Sequence, residues 1–426
     1  MIDNTKKPFP KDFLWGASVS AHQVEGGNYN QWTVWELAHA QQLAKTAKQR
    51  LSWIPVWDEI KVEASKPESY ISGEGVKHYR LYEHDFDLAR KLNFNSFRFS
   101  LEWSRLEPEE GRWDEDQIEH YRRYIKALRQ RGLEPIMNIW HWTHPVWFEE
   151  KGAFKYRRNL QFFERFVAKV AAEYGSQVRY FITINEPNVY TASSYLTSDL
   201  MAKVSWPPGE RSPLSAYRVY RNLAKAHRRA YKIIKGVEPT AEVGIATQLD
   251  NIQAKDPHDI IDELETKIMR RVWNWWFLQQ VRRRQDFIGI NYYFTDYYND
   301  WFKRTNPKLP LNDFGWYMEP EGLYPLLLRA WAHYKKPILV SENGVADMHD
   351  QYRQWWIEET IIAMERAMSQ GVKIIGYCHW SLLDNFEWAT GWLAKFGLID
   401  VDRRHDMKRT IRPSAKWFAE RISKLS

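Results

Sequence analysis

The sequence predicts an α/β fold in which eight parallel strands close into a single (β/α)₈ barrel of the TIM type. Three observations point there. Eight short apolar runs of β type recur along the 426 residues. Amphipathic stretches of helical period separate them. Polar residues collect where the runs end, which is where such barrels carry their active sites.

The runs, in order, are 13–17, 96–100, 135–140, 180–185, 242–246, 287–292, 337–341 and 373–379. Between the first two, HYRLYEHDFDLARKL (78–92) carries its apolar residues on one helical face. QIEHYRRYIKALRQR (117–131) does the same and stops at Gly132, and 160–174 stops at Gly175. A glycine just past the last turn is a helix stop signal. Stretches 217–234 and 354–369 share the period. Strands alternating with helices build a parallel sheet, and eight such units in this length close into a barrel. An open doubly wound sheet is the alternative, but no glycine-rich phosphate loop follows the first run. The length would suit two or three domains. α/β barrels run long as one unit, however, and no Pro/Gly/Ser-rich linker divides residues 1–426.

Composition narrows the function. The net charge is +7, but 61 basic residues are interspersed with 54 acidic ones. The densest basic run, Arg282-Arg283-Arg284, follows an amphipathic stretch and reads as a solvated helix end, so no nucleic-acid partner is expected. Cys378 is the only cysteine; it cannot form an intramolecular disulfide and reads as a small buried residue. MIDNTKKPFPKDFLWG is charged and proline-bearing, unlike a signal peptide. No apolar run reaches the ~18 residues of a membrane helix. A cytoplasmic enzyme with no membrane partner is the expectation, of unspecified oligomeric state. The 23 tryptophans fit a large core, nucleic-acid stacking or a carbohydrate cleft, where sugar C–H faces pack on indole.

The run ends carry the chemistry. Arg98 is late in the second run; His141 and Trp142 follow the third; Asn185 and Glu186 end the fourth. Asn291 and Tyr293 end the sixth, Glu342 and Asn343 the seventh, and Trp380 the eighth. A carboxylate directly after an apolar strand is costly to bury unless it is paired or hydrogen-bonded. Either Glu186 (TINEP) or Glu342 (VSENG) alone reads equally well as half of a structural ion pair. Together, on runs four and seven, they face one another across the barrel mouth. Glycoside hydrolysis needs that arrangement: one carboxyl protonates the leaving oxygen and the other attacks the anomeric carbon. Glu342 then has to stay ionised, with Arg98 and Tyr293 available as donors, and Glu186 has to start protonated. His141 and His144 have H-x-x-H spacing, but a strand end does not project them together as a helix turn would. Neither a metal nor a cofactor is expected.

FPKDFLWGASVSAHQVEG, FRFSLEWSRLEPEEGRWD, WHW, FITINEPN, DFIGINYY, ILVSENGVAD and GYCHWSLLDNFEWATGW…FGLIDVD occur in one order across residues 9–417. In this the chain resembles the family 1 glycoside hydrolases (β-glucosidases, β-galactosidases and relatives). The resemblance implies a retaining β-glycosidase with Glu186 as acid/base and Glu342 as nucleophile. It implies a neutral β-linked sugar or oligosaccharide as substrate: a β-glucoside first, with β-galactoside or β-fucoside also open. It implies that Gln23, His141, Trp142, Asn185, Glu387 and Trp388 bind the terminal sugar and that Trp380 stacks beneath it. Arg98, Tyr293 and Asn291 are implied to support the nucleophile. Trp316 resembles the aromatic that packs on the leaving group, and Phe396 joins the substrate-binding set. For Trp388 and Phe396 a packed core aromatic is the competing reading.

The departures fall in loops. Segments 38–71, 193–213 and 248–276 do not follow the family pattern, and Thr143-His144-Pro145 stands where an acidic and an apolar residue are common. These loops form the leaving-group side in the family, so the aglycone stays open. Two other functions compete. Non-catalytic sugar-binding barrels usually lack one glutamate, and both are present here. 6-Phospho-β-glycosidases carry a basic pattern near the last strand, where this chain has Glu387-Trp388.

Overall fold

A computed structural model describes residues 9–196, 203–299, 302–305 and 308–425. Eight parallel strands close into one barrel in sequence order. They are β1 (Leu14–Ser18), β2 (Ser96–Ser100), β3 (Glu134–Asn138), β4 (Tyr180–Asn185), β5 (Glu242–Gln248), β6 (Phe287–Tyr292), β7 (Ile338–Asn343) and β8 (Ile374–Trp380). β1 pairs with both β2 and β8, which closes the ring. The eight runs read from sequence are these strands, shifted by a residue or two at their ends. In β3 the last two expected residues leave the ladder, although the Ile139 amide still reaches the Ile182 carbonyl at 2.8 Å.

The interior of the barrel is layered. Leu14, Ile136, Ile182, Phe287, Leu339 and Cys378 form one apolar cluster inside it. Cys378 is a buried free thiol, and burial pushes its pKa up to about 12. Toward the C-terminal ends, buried polar side chains replace the apolar ones: Arg98, Asn185, Asn291 and Glu342. The two strands that carry glutamates are irregular there. β4 shifts register against β5 between Ile182 and Asn185, and β7 shifts against β6 between Val340 and Glu342. Such irregularities re-aim side chains at a strand end. Gly344 completes the geometry: a Cβ on it would fall 1.8 Å from the Trp380 carbonyl oxygen, so only glycine lets the ends of β7 and β8 close together.

The helices follow their patterns. Glu115–Gln130 starts at Asp114, which accepts from the Gln117 amide at 3.1 Å, and buries Ile118, Tyr121, Tyr124, Ile125 and Leu128. The divergent segments are ordered structure. Gln31–Leu51 is a long helix capped by Asn30, and Trp57–Ala64 a short one; they make up most of 38–71. Segment 248–276 supplies a strand, Asn251–Ala254, and the helix Ile260–Met269, which continues as a π-helix over Arg270–Trp275. The Asn251–Ala254 strand joins Thr295–Asn299 and Lys303–Thr305 in a small sheet above the barrel. Part of segment 193–213 lies outside the described residues.

Candidate active site

Arg98 is wholly buried on β2 and organises the centre. Its Nη1 donates to Glu342 Oε1 at 2.5 Å and its Nη2 to Asn185 Oδ1 at 2.7 Å. Tyr293 Oη donates to the other Glu342 oxygen at 2.6 Å. Burial, then the charge of Glu342, pushes the Tyr293 phenol well above its ordinary range, so it stays a donor. Both Glu342 oxygens therefore meet donors, one of them cationic; such charge-assisted bonds are the strong kind.

Glu186 has a different environment. It sits in the left-handed region (φ 40°) at the turn from β4 into the helix Pro187–Tyr195. That conformation costs a non-glycine residue about 1 kcal/mol or more and is found where a site demands it. Among the described residues, its side-chain donor is Asn291 Nδ2, at 2.7 Å from Oε1. The same Nδ2 lies 3.1 Å from Asn185 Oδ1, and Ser341 Oγ donates to Asn291 Oδ1 at 2.6 Å, which fixes the amide. Burial first, and the negative charge of Glu342 second, hold the Glu186 carboxyl well above its usual value. One continuous network, Glu186–Asn291–Asn185–Arg98–Glu342, thus joins the two carboxyls and sets them apart electrostatically.

A cavity of about 290 Å³ opens over them. Glu186, Glu342, His141, Trp142, Tyr293, Trp316, Trp380, Glu387, Trp388 and Phe396 all line it. His141 stacks on Trp380 and Trp388 at ring distances of 5.9 and 6.0 Å, and burial beside Arg98 holds its pKa well below the ordinary value, so it is neutral. Trp142 lies 4.9 Å from Trp388. Trp316 packs on Tyr293, Phe294 and Phe396. Four residues singled out in the sequence stand behind the lining instead: Arg98, Asn185, Asn291 and Gln23. Gln23 donates to Asn385 Oδ1 (3.0 Å), the Phe386 carbonyl (2.8 Å) and Glu387 Oε2 (3.2 Å), and accepts from Ser20. It holds the loop that presents Glu387. His144 is not gathered with His141; its Nε2 meets Glu149 Oε2 at 2.6 Å.

Several lining residues were not legible as site residues. Trp206 precedes two prolines in a segment without a motif, yet it lies 4.7 Å from Trp142. Trp273 donates to Gln248 Oε1 at 2.7 Å, and Gln248 donates to Asp250. Asp250 lies two residues beyond the end of β5, so the strand-end rule could have found it. Burial and the nearby Asp296 raise its pKa well above the ordinary value. Asp296 itself accepts from Arg304 Nε at 2.8 Å.

The model of glycosyl hydrolase family 1 matches residues 5–284 and 277–425. The chain belongs to that family. A β-galactosidase of Sulfolobus acidocaldarius is 28% identical over 97% of this chain and 94% of its own length. β-Glucosidase A of Acetivibrio thermocellus is 27% identical over 98% of this chain and 99% of its own. Among solved structures, a β-glycosidase from Pyrococcus horikoshii superposes with a TM-score of 0.83 at 32% identity, covering 97% of this chain and 94% of that one. The β-glucosidase of Thermotoga maritima in complex with glucoimidazole gives 0.86 at 25% identity, covering 99% and 100%. The protein is thus a glycoside hydrolase on a (β/α)₈ barrel. For a family 1 enzyme the divergent segments take on a definite meaning: two of them, through Trp206, Asp250, Met269 and Trp273, build one side of the cavity.

Proposed function

We propose that this enzyme is a retaining β-glycosidase acting by double displacement on terminal β-linked neutral sugars, β-glucosides first and β-galactosides or β-fucosides next. The unequal environments of the two carboxyls carry the reading. Glu186, poor in donors and held protonated, gives its proton to the departing oxygen. Glu342 attacks the anomeric carbon and forms a glycosyl ester. The negative charge of Glu342 is then gone, Glu186 releases its proton more readily, and it takes one from the water that cleaves the ester. The names of the relatives, β-glucosidase and β-galactosidase, support the sugar class. Arg98, Tyr293 and Asn291 serve the carboxyls, and His141, Trp142, Trp380, Glu387 and Trp388, with Trp316 and Phe396 beside them, hold the sugar. A cytoplasmic location fits a lone thiol such as Cys378.

Glu387 carries the preference for neutral sugars. A carboxylate accepts from two neighbouring hydroxyls at once and repels a phosphate. A panel of nitrophenyl β-glycosides tests both points. The wild type should turn over glucoside and galactoside in preference to 6-phosphoglucoside. Glu387→Ala should lower kcat/KM for both neutral sugars about 10-fold, from the loss of about 1.5 kcal/mol of charge-assisted bonding. Preference for the 6-phospho-sugar would refute the assignment. Release from no glycoside at all would favour a non-catalytic sugar-binding barrel.

The raised pKa of Glu186 also fixes a sign. Its protonated form persists above the ordinary carboxylate value of 4.5, so kcat/KM should fall as pH rises through the raised value. Its contribution to folding stability is complete below pH 4.5 and is lost through the same window. In Glu342→Gln the neighbouring charge is absent, so Glu186 should titrate at lower pH than in the wild type, though burial still holds it up. Carboxyl ¹³C NMR reads this directly. An unchanged titration would show that Glu186 does not feel Glu342.

A further inference from the structure

The side of the cavity built by segment 248–276 holds polar groups that the chemistry at Glu186 and Glu342 does not use. Asp250 is 4% exposed and lines the cavity. Its Oδ1 accepts from Gln248 Nε2. Its Oδ2 has no hydrogen-bond partner among the described residues, and a buried polar atom left so at a cavity wall calls for an explanation. The surroundings are fixed. Asn274 donates to the Asp250 carbonyl at 2.8 Å and accepts from the Asp250 amide at 3.1 Å. Asn274 belongs to the π-helix Arg270–Trp275, a wide turn of a kind that recurs at functional sites. The same turn brings Trp273 to the cavity, with its indole N–H committed to Gln248 Oε1 at 2.7 Å. The Gln248 amide is thereby held at both ends, its oxygen by Trp273 and its nitrogen by Asp250.

This wall stands next to the proposed acid/base. The Gln248 carbonyl accepts from Asn188 Nδ2 at 2.8 Å, and Asn188 lies two residues beyond Glu186. Asp250 also adds to the upward push that burial and Glu342 exert on the Glu186 carboxyl. The group that takes the proton of Glu186 therefore departs along this side. The charges here are already settled: Arg304 is paired with Asp296, and burial with the charge of Asp296 keeps Asp250 protonated. Since Oδ1 accepts from Gln248, the proton of Asp250 sits on Oδ2 and can be donated to a neutral oxygen. We propose that Asp250, with Gln248 and Trp273, seats a second sugar, so that the preferred leaving group is a glycosyl unit rather than an alkyl or aryl alcohol. The proposal rests on the glycosidase reading of the site and supplies its leaving group. A sugar ring offers hydroxyls to a carboxyl and C–H faces to an indole, and both kinds of surface stand side by side here. An apolar leaving group would bury the Asp250 hydroxyl unpaired, and a site built around a hydroxyl partner rejects a molecule that lacks it.

The test compares methyl β-glucoside with the glucose disaccharides laminaribiose, cellobiose and gentiobiose. All four release an alcohol that needs the proton of Glu186, so the ratio of kcat/KM for a disaccharide to that for methyl β-glucoside isolates the second sugar. Any effect passed on through Glu186 enters both values and cancels. For the wild type at least one ratio should be about 10 or more, the scale of one well-made hydrogen bond to a buried group. Asp250→Leu should lower that ratio about 10-fold. Asp250→Asn, which keeps a neutral donor of the same shape, should retain most of it. If Asp250→Leu does not fold, Trp273→Ala should lower the same ratio by removing the aromatic face. Three results would overturn the proposal: a wild type that prefers none of the disaccharides to methyl β-glucoside, an unchanged ratio in Asp250→Leu, or equal losses in the Leu and Asn variants. Failure of the wild type to release glucose from methyl or nitrophenyl β-glucoside would instead refute the glycosidase reading, and this proposal with it.

Discussion

Glu342→Gly should lose nearly all hydrolysis of β-glycosides, about 10⁵–10⁶-fold, the scale seen when the nucleophile of a concerted set is removed. The side chain accepts from Arg98 and Tyr293, so its loss also leaves the Arg98 guanidinium buried beside the neutral Asn185. A buried charge stripped of its partner costs about 3–5 kcal/mol, so the variant should also unfold at lower temperature. Azide or formate, small enough for the space left by the carboxyl, should restore both properties in part by sitting against Arg98. With an activated β-glycoside such as the dinitrophenyl derivative, azide then attacks once, from the side where Glu342 stood. The product should be the α-azide. A β-configured product would exclude Glu342 as nucleophile. The milder Glu342→Gln, which keeps a group near Arg98, separates loss of chemistry from loss of fold.

Glu186→Ala should act unequally on different leaving groups. An alkyl alcohol or a sugar needs a proton to depart; a dinitrophenolate is stable as an anion. The first step should slow by about 10²–10⁴-fold for alkyl glycosides and far less for dinitrophenyl ones. The second step still lacks its base, so the ester on Glu342 should accumulate as a burst with the activated substrate. Azide should then speed turnover without needing a base, and because this displacement starts from the ester the product should be the β-azide. Equal slowing of both substrates, with no burst and no response to azide, would give Glu186 another role. The two glutamate variants thus predict opposite azide products.

The barrel was legible because every strand is an apolar run bounded by a helical pattern, and neither feature needs tertiary information. The two glutamates were legible because the strand-end rule and the motifs TINEP and VSENG agree on them. Gln23 shows where sequence reasoning stops. Its motif names it as part of the site, but only the folded chain shows its amide committed to Asn385, Phe386 and Glu387. Trp206 and Trp273 were missed for a related reason: each lies in a segment without a recurring pattern, and long-range packing alone brings them to the cavity. Asp250 escapes the strand-end rule because the apolar run stops at residue 246, two short of the observed end of β5. The helix Ile260–Met269 misleads any rule that puts apolar residues inside, since its buried residues include Asp262 and Glu265.

The central claim is that Glu186 and Glu342 work in sequence on one sugar through a covalent ester. Its geometric requirement is a carboxyl separation of about 5–5.5 Å, too small to admit the water that an inverting pair at about 6.5–9.5 Å would use. The stereochemical course reports this without any mutation. Proton NMR of nitrophenyl β-glucoside hydrolysis, followed from the first minutes before mutarotation, should show the β-anomer of glucose appearing first and the α-anomer growing in only later. First appearance of the α-anomer would mean a single displacement by water and would contradict the account.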